Sequence, residues 1–509
     1  MNANKAEALG LDIKLNAHMT LAQTAFVRPR RGVALMFVAA LVSAAVSLPS
    51  GADPKSDTFQ PDAFRTGAAL RGRTLGLSDP LGRDCPLPAS ALSIAAAVDI
   101  ALCRNPATRS AWASAHLQAA ALGSAESTWL PTITVTGSET RFYGSHADAT
   151  GAIVTTPQNT GDAALSLSWT LYDFGARGGR IKSARYLLDA AASTASSTVQ
   201  QTVFNVVQSY YGVVAGDAAL LAAQSTADTA ASSLEIARAL HTGGVAALGD
   251  VLQAETAYDQ AVLARVQAGQ TLASSRGTLA VQIGMPADQP LKLEAQTVPT
   301  EVPALTARMA DLMAEAARQR PDLAAARAQV DSAVADITVA RALGRPSISL
   351  AAGRSVIDTT DVPRQSYSQV GVNITVPIFT GFSVGYGVRQ AQAQLDVREA
   401  NAEQVRLKVS LDVWNGYYAL DSANQQLAAT ATLIKTAGNN QEVAQGRYKA
   451  GVGTIVDLLT AQTAAAAARQ ARISAELNWE VARAQLALAL GHLSGTEPLA
   501  TDAGLPQTP

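Results

Sequence analysis

The stretch Gly451–Leu459, which reads GVGTIVDLL, decides the fold, because it separates two long Ala-rich segments with helical periodicity. Two glycines in close succession permit the tight reversal that joins two antiparallel helices. Thr454 is placed to cap the second helix, with Asp457 three residues later as the acid of a capping box. The stretch therefore predicts the tip of a helical hairpin.

The same pattern occurs earlier in the chain, at Gly244–Leu252, which reads GVAALGDVL. Three pairs of like residues are 207 positions apart: Asp250 and Asp457, Tyr211 and Tyr418, and Gly284 and Gly491. Two pairs of prolines are 215 positions apart: Pro106 and Pro321, and Pro131 and Pro346. The sequence therefore consists of two similar halves, and each half contains one long helical hairpin.

The composition fits one large repeated unit better than several ordinary domains. The chain has 509 residues, of which 5% are aromatic and 16% charged. Ala-rich helices pack closely over long distances without the large side chains that a globular core of this size needs. A net charge of −2 with no block of like charges gives no electrostatic basis for binding nucleic acid.

Residues 1–52 are predicted to be a signal sequence. Three arginines within 28–31 precede an apolar run at 33–48, and small residues at 50–52 offer a cleavage site. An uncleaved membrane anchor is the alternative. Residues 53–89 lack periodicity and are predicted to be an irregular extension. No cysteine lies near the cleavage site, so nothing there indicates a lipid anchor.

The chain has two cysteines, Cys85 and Cys103. In an oxidising compartment they are able to pair and close a short loop between the extension and the first helix, and two unpaired thiols are the alternative. Neither belongs to a metal-binding motif, and the 5 histidines are scattered without zinc spacing. The sequence contains no nucleophile motif or phosphate-binding loop. It therefore predicts no catalytic residue, no metal site and no cofactor.

Two segments in each half alternate apolar and polar residues with a period of two, which is typical of strands. They lie at 132–136, 165–171, 347–350 and 370–376. The polar stretches between them, 144–161 and 358–366, are predicted to be loops, the second one shorter. Alternation leaves two interpretations open: a sheet with one face in water, or a membrane barrel with its apolar face in lipid.

The rest of each half is predicted to be helical. In the first half, helices run from about Ser90 to Asn105, on to Trp129, from Gly175 to Thr242 and from Gly249 to Ile283. In the second half they run to Arg318, from Pro321 to before Pro346, from Ser383 to Lys449 and from Thr454 to Leu490. The longest would measure on the order of 100 Å, far more than a bilayer. The chain thus divides into a first repeat at 90–300, a second repeat at 301–495 and a polar tail at 496–509.

The count of four strands per chain sets the architecture. Four strands cannot close a barrel, because closure needs about eight or more. An open sheet cannot sit in lipid either, because its edges would be unsatisfied. Three chains together supply twelve strands, with long helices below them. The residues therefore predict a mixed α/β membrane protein in which several chains contribute to one barrel.

With these features the chain resembles the TolC family of outer-membrane export channels. The resemblance covers residues 90–491 and rests on the duplicated order together with three motifs. The motifs are LYDFG at Leu171–Gly175, PIFTG at Pro377–Gly381 and YKAGVGT at Tyr448–Thr454. It implies a homotrimer that forms one 12-stranded β-barrel in outer-membrane lipid on an α-helical tunnel. It also implies a long periplasmic portion and no enzymatic activity. It also implies docking with a periplasmic adaptor protein and with an inner-membrane ABC or proton-driven transporter.

The resemblance assigns roles to residues at the hairpin tips, which turn at Gly244 and Gly451. It implies that Asp457 forms a ring of carboxylates at the constriction of the tunnel. It further implies that Asp250 accepts a hydrogen bond from Tyr448 and so helps to hold the tunnel closed. Without the resemblance, Asp457 is equally well explained as a helix cap. Tyr448 is then better explained as a packing aromatic than as part of a gate.

Two tip residues depart from the pattern of the family. Gly453 stands where a gate arginine can occur, and Thr460 stands where a second acidic ring can occur. Both departures imply a constriction that binds cations less strongly and opens more easily.

The cargo is left open between two interpretations. Secretion of a protein with an ATP-driven partner is favoured by the absence of the lipid-anchor cysteine that many drug-efflux relatives carry, and by the pair Cys85 and Cys103. Efflux of drugs, metals or small organic molecules with a proton-driven partner is the alternative. Two further alternatives are a periplasmic coiled-coil adaptor, which the strand pairs disfavour, and a structural coiled-coil rod, which predicts no ion conductance.

Overall fold

A computed structural model describes residues 62–66, 85, 91–147, 150–294, 308–360 and 362–493. The predicted signal sequence and polar tail lie outside these residues, as does most of the extension. The described chain forms two compact units, one of strands and one mainly of helices. The strand unit contains Pro131–Trp169 and Leu350–Asn373, so it takes segments from both predicted repeats.

The same order of elements occurs twice along the chain. The first half contains α1 (Ile94–Arg104), α2 (Pro106–Ser127), β1 (Thr132–Ala147), β2 (Ile153–Tyr172), α3 (Ala176–Thr242) and α4 (Leu248–Gln282). The second half contains α5 (Met309–Gln319), α6 (Pro321–Ala342), β3 (Ser347–Thr359), β4 (Val362–Thr375), α7 (Ser383–Lys449) and α8 (Ile455–Leu490). Helices α3 and α7 both have 67 residues, and α2 and α6 both have 22. The duplication in the sequence is therefore a duplication of structure.

Local sequence explains where the short helices begin. At the start of α1, Ser93 Oγ accepts a hydrogen bond of 3.2 Å from the backbone N–H three residues later. At the start of α2, Asn105 Oδ1 accepts one of 2.8 Å from the N–H two residues later. Pro106 and Pro321 occupy the first turns of α2 and α6, where a proline is tolerated because its missing N–H would have no helical partner.

The strands form one sheet in the order β1-β2-β3-β4. Strands β1 and β2 are antiparallel, with Ile133 opposite Leu167 and Val135 opposite Leu165. Residues opposite each other lie on the same face, so the apolar residues of both strands share one face of the sheet. The alternation that the sequence predicts for these segments is therefore continuous across the strand pair.

The hairpins of the sheet are longer than predicted. The sequence predicts loops at 144–161 and 358–366, but β1 extends to Ala147, β2 begins at Ile153 and β4 begins at Val362. These end segments do not alternate apolar and polar residues, so they give no period-two signal, whereas backbone pairing continues whatever the side chains are. The first hairpin is the longer one, with strands of 16 and 20 residues against 13 and 14.

The helical unit packs its helices side by side in two rows that share α3 and α7. One row has the order α2-α3-α6-α7, and the other has the order α4-α3-α8-α7. One hydrophobic cluster includes Val206 and Tyr210 of α3 with Leu279 of α4. A second cluster includes Val413 of α7 with Trp479 of α8. Each long hairpin thus has a core along its length, and Ala484 of α8 joins the first cluster to the second half.

Candidate functional site

Each long hairpin turns on a glycine with a left-handed backbone. Gly244 has a φ of +77° and Gly451 a φ of +73°, which L side chains rarely adopt. After Gly451 the chain reverses through two hydrogen bonds of 3.1 Å, in which the N–H groups of Val452 and Gly453 both donate to the carbonyl of Arg447. The turns fall at the glycines that the sequence singles out.

The two return helices begin differently. Thr454 Oγ1 accepts a hydrogen bond of 3.1 Å from the N–H of Asp457 and caps α8. Ala247 holds the equivalent position before α4 and supplies no side-chain cap. Asp457 is exposed and Asp250 is half-buried, each in the first turn of its helix, where the helix dipole favours a carboxylate. The capping hydrogen bond of α8 therefore comes from Thr454.

The structure packs the two hairpin tips against each other. Leu234 of α3 and Val251 of α4 belong to one buried cluster with Tyr448 of α7 and with Ile455 and Leu458 of α8. Burial of such side chains contributes about 1.5–3 kcal/mol each. The carboxylates that follow the two turns are thus carried by hairpins that are joined at their ends.

Tyr448 lies at the centre of this junction and is 3% exposed. The resemblance implies a hydrogen bond from Tyr448 to Asp250, but among the described residues the Tyr448 hydroxyl has no hydrogen-bond partner. Burial raises the pKa of Tyr448, and the negative charge of Asp250 raises it further. Asp250 therefore acts on Tyr448 through its charge, and Tyr448 contributes to the tip by packing.

Gly453 has a steric reason for lacking a side chain. A Cβ at this position would lie 3.1 Å from the Cβ of Arg447 and 3.1 Å from the backbone nitrogen of Tyr448. Both distances are shorter than ordinary van der Waals contact. Thr460 is exposed on α8, three residues after Asp457.

Two basic residues at the tip receive no functional role in the sequence analysis. Arg447 and Lys449 are exposed in the last turn of α7, where the negative end of the helix dipole favours cations. The signal that identifies them is the presence of basic residues directly before a helix-ending glycine. The tip of the second hairpin thus carries both signs of charge.

Cys85 and Cys103 form a disulfide, with Cα atoms 6.2 Å apart. The sequence leaves open whether the two cysteines pair, and in the structure they are bonded to each other. It ties Cys85 of the extension to α1. Among the residues that the structure describes, no cluster of His, Cys, Asp and Glu is able to hold a metal ion.

One buried acid lies where the two halves meet. Glu480 of α8 is 4% exposed, and its Oε2 is 2.9 Å from Arg483 Nη2 at angles that do not make a hydrogen bond. Burial raises the pKa of Glu480, whereas the charge of Arg483 and a hydrogen bond with Tyr211 of α3 lower it. Sequence analysis passes over Glu480 because an acid in a helical pattern ordinarily faces water.

Comparison with families of known proteins gives a match over most of the chain. The model of the outer membrane efflux protein family matches residues 97–285 and 312–492. These residues agree with the span 90–491 over which the motifs predict a resemblance.

Individual relatives extend this finding. Protein CyaE of Bordetella pertussis is 29% identical over 87% of this chain and 92% of its own length. The toluene efflux pump outer membrane protein TtgC of Pseudomonas putida is 29% identical over 58% of this chain and 61% of its own length. Outer membrane protein TolC of Escherichia coli is 23% identical over 79% of this chain and 82% of its own length.

Solved structures show the same fold. The outer-membrane channel OprN superposes with a TM-score of 0.71 at 21% identity, over 81% of this chain and 99% of its own. At this identity the likeness is evidence for the fold.

Proposed function

The chain belongs to the outer membrane efflux protein family, and from this premise we propose that it is the exit duct through which a tripartite system exports a protein. The family consists of passive outer-membrane channels, so the predictions of an outer-membrane location and of no enzymatic activity are confirmed. The predicted resemblance to the TolC family is likewise confirmed.

The free edges of the sheet carry the proposal of a trimer. Among the strands that the structure describes, β1 and β4 end the sheet, and each has one unpaired edge. Val135, Val370 and Val372 on these strands are 61%, 78% and 59% exposed. Lipid accommodates such apolar side chains but not unpaired backbone groups. Three chains joined edge to edge supply twelve strands, enough for a barrel with a lumen and no free edge.

The hairpin tips supply the closed end of the duct in this proposal. In a trimer the three copies of Asp457 form one ring, and an exposed carboxylate suits a ring that binds cations. The cluster around Tyr448 and Leu458 holds the two hairpins of each copy together, so opening requires these contacts to rearrange. Gly453 and Thr460 add no charge to the ring.

The partners follow from the family. A passive duct needs an energised transporter in the inner membrane and an adaptor that bridges to it, and we assign an ABC transporter to the first role. The disulfide between Cys85 and Cys103, a pair that resembles the protein-secreting branch of the family, supports a protein cargo. Efflux of small molecules is the competing function.

Deletion of the gene distinguishes the two cargoes. We expect the deletion to abolish the appearance of one or more proteins in the culture medium and to leave sensitivity to drugs and solvents unchanged. Complementation with the intact chain is the control. A set of secreted proteins that does not change, together with greater sensitivity to small toxic molecules, would assign the duct to efflux.

A further inference from the structure

Each half of the chain fastens its short helices to the end of its long hairpin at an equivalent place. In the first half, Asn105 between α1 and α2 donates a 2.8 Å hydrogen bond to the carbonyl of Gln282 at the end of α4. In the second half, Arg320 between α5 and α6 donates a longer one, of 3.5 Å, to the carbonyl of Ala489 near the end of α8. We call these places the first joint and the second joint.

The repeat offsets allow the two joints to be compared residue by residue. Helices α1 and α5 begin at 94 and 309 and end at 104 and 319, an offset of 215 at both ends. Helices α3 and α7 begin at 176 and 383 and end at 242 and 449, an offset of 207 at both ends. The joints are therefore built from the same elements, and they differ in their side chains.

The second joint is held by charged side chains. Arg320 Nη2 lies 2.6 Å from Asp322 Oδ2 of α6, and Arg320 Nη1 lies 3.0 Å from Asp412 Oδ2 of α7. Directly after α8, His492 Nε2 lies 3.0 Å from Glu315 Oε1 of α5. The turn before α6, the base of α7 and the end of α8 are thus connected through acids, an arginine and a histidine.

The first joint is uncharged at every one of these positions. The equivalents of Glu315, Arg320, Asp322, Asp412 and His492 are Ile100, Asn105, Ala107, Asn205 and Met285. Ile100 and Met285 are buried together in one hydrophobic cluster, where the second joint has its acid and its imidazole. The disulfide between Cys85 and Cys103 adds a covalent tie two residues before Asn105. Apolar burial and a covalent bond therefore hold the first joint, and charge holds the second.

One group of the second joint is of the type that changes its charge near neutral pH. Burial by itself would raise the pKa of Asp322, but the hydrogen bonds and the charge of Arg320 lower it, and Lys408 of α7 lowers it further. Asp322 and Arg320 therefore keep their charges outside the acid range. Histidine is the side chain whose charge ordinarily changes between about pH 5 and about pH 8. The contact of His492 with Glu315 is an ion pair only when the imidazole is protonated.

Protons and salt ions are able to reach this contact. The side chain of His492 is 34% exposed and that of Glu315 is 21% exposed. The neighbouring contact from α3 is uncharged, because Gln200 donates a 2.8 Å hydrogen bond to the carbonyl of Gly491. The charged groups that meet His492 at the joint come from α5, from the turn before α6, from α6 and from α7, and they are Glu315, Arg320, Asp322, Lys408 and Asp412.

We propose that the second joint responds to protons: protonation of His492 creates an ion pair with Glu315 and tightens the joint, whereas the first joint does not respond. The protonated imidazole donates its Nε2–H to the carboxylate, and such a charge-assisted hydrogen bond is stronger than a neutral one. The second hairpin carries Asp457 at its far end, so mild acid restrains the base of the hairpin that bears this carboxylate. The response is a property of the joint and does not depend on the cargo.

Hydrogen exchange of the full chain purified from outer membranes tests the joint directly. After correction for intrinsic exchange rates, the protection of the α5 amides is expected to rise about fivefold from about pH 7.5 to about pH 5.5, the effect of one partly exposed ion pair. The α1 amides are the internal control in the same sample. Their protection is expected to stay constant, because the first joint has no charged group at the equivalent positions.

Substitutions assign the response to the pair. His492→Gln keeps a hydrogen-bond donor without a charge that changes with pH, so it is expected to abolish the rise in α5. His116→Gln, on α2, is the matched control and is expected to retain the rise. The double variant Glu315→Ile with His492→Met installs the residues of the first joint. It is expected to make the protection of α5 as constant with pH as that of α1.

Salt gives a second, independent readout. Sodium chloride at about 1 M shortens the screening length to about 3 Å and weakens partly exposed ion pairs. In the parent chain at about pH 5.5, the protection of α5 is expected to lose most of its rise in this salt. The double variant is expected to show no such loss.

Constant protection of α5 in the parent chain, or an undiminished rise in His492→Gln, would overturn the proton-sensitive joint. Either result leaves the duct standing, because the conductance of the protein is measured separately. A protein that shows the rise in α5 and forms no channel would overturn the duct and leave the joint standing.

Discussion

At the scale of single residues, the tip of the second hairpin separates a capping role from an electrostatic one. Thr454 makes the capping hydrogen bond of α8, whereas the exposed side chain of Asp457 contributes a negative charge in the first turn of the helix. Substitutions at the two positions are therefore expected to have different effects.

Asp457→Ala is expected to weaken block of the channel by multivalent cations and to leave the yield of trimer unchanged. A trimer loses three carboxylates at once. Because each contributes about 0.5 kcal/mol to the binding of a cation, the cation concentration needed for block rises roughly tenfold. Block is measured on single channels in a planar bilayer. Thr454→Ala is the control, and it is expected to lower stability by about 1 kcal/mol through loss of the cap without changing block. If Asp457→Ala lowers stability and leaves block unchanged, Asp457 is a helix cap only.

Tyr448→Phe is expected to stabilise the protein. The hydroxyl is buried without a partner among the described residues, and such a group costs about 1–3 kcal/mol. Removing it is expected to raise the thermal unfolding midpoint. Tyr210→Phe is the matched control, because the Tyr210 hydroxyl donates a 3.1 Å hydrogen bond to the carbonyl of Leu92 and its loss is expected to lower the midpoint. Equal losses in both variants would mean that Tyr448 does donate a hydrogen bond, as the family resemblance implies.

Glu480 predicts a dependence of stability on pH. Burial raises its pKa in the folded state above that in the unfolded chain. Its contribution to stability is therefore fully present below the unfolded pKa and is lost as pH rises through the folded pKa. Glu480→Gln removes this loss. The unfolding midpoint of the variant minus that of the parent is therefore expected to increase across the titration range of a buried acid, from about pH 4 to about pH 8. A difference that is constant with pH would mean that Glu480 is ionised throughout, held by Arg483.

At the scale of elements, equivalent joints connect each short helix pair to its long hairpin. Gly284 and Gly491 follow α4 and α8 with φ values of +79° and +83°. A Cβ on Gly284 would lie 2.8 Å from the carbonyl carbon of Arg104, and one on Gly491 would lie 3.0 Å from that of Gln319. The duplicated proline breaks at 105–106 and 320–321 thus pack against duplicated glycines.

Gly284→Ala and Gly491→Ala are each expected to lower the free energy of unfolding by about 1–3 kcal/mol, because both the backbone conformation and the close approach exclude a side chain. Gly212→Ala is the control. Gly212 is inside α3 with no atom within 4 Å of its Cβ position, so alanine there is expected to be neutral or stabilising. Chemical denaturation of the purified protein measures all three. Normal stability of both joint variants would contradict the close packing described here.

The sequence predicts the long helices almost to the residue, because their ends are marked by Gly175, Gly244 and Gly451 and their periodicity is unbroken. It does not predict the full length of the strands, since the polar ends of β1 and β2 carry no alternation. It also does not predict that Tyr448 is buried without a partner or that Glu480 faces Tyr211. Both depend on which helices become neighbours, which a periodic pattern does not encode.

At the scale of the whole molecule, a single chain leaves strands and helices with one side uncovered. Its sheet ends on β1 and β4, and its rows of helices end on α7 at one side and on α2 and α4 at the other. In the trimer that we propose, β4 of one copy would pair with β1 of the next, and twelve strands would close into a barrel without a free edge.

The direct test of the central claim is the electrical one. Mature protein purified from outer membranes and added to a planar lipid bilayer is expected to give discrete, long-lived conductance steps, and the same trimers are expected to show block by multivalent cations. Asp457→Ala protein serves as the comparison, since a weaker block identifies the steps as passing through the tips. Trimeric protein that inserts and gives no conductance steps in either the parent or the tip variant would contradict the account of this chain as an export duct.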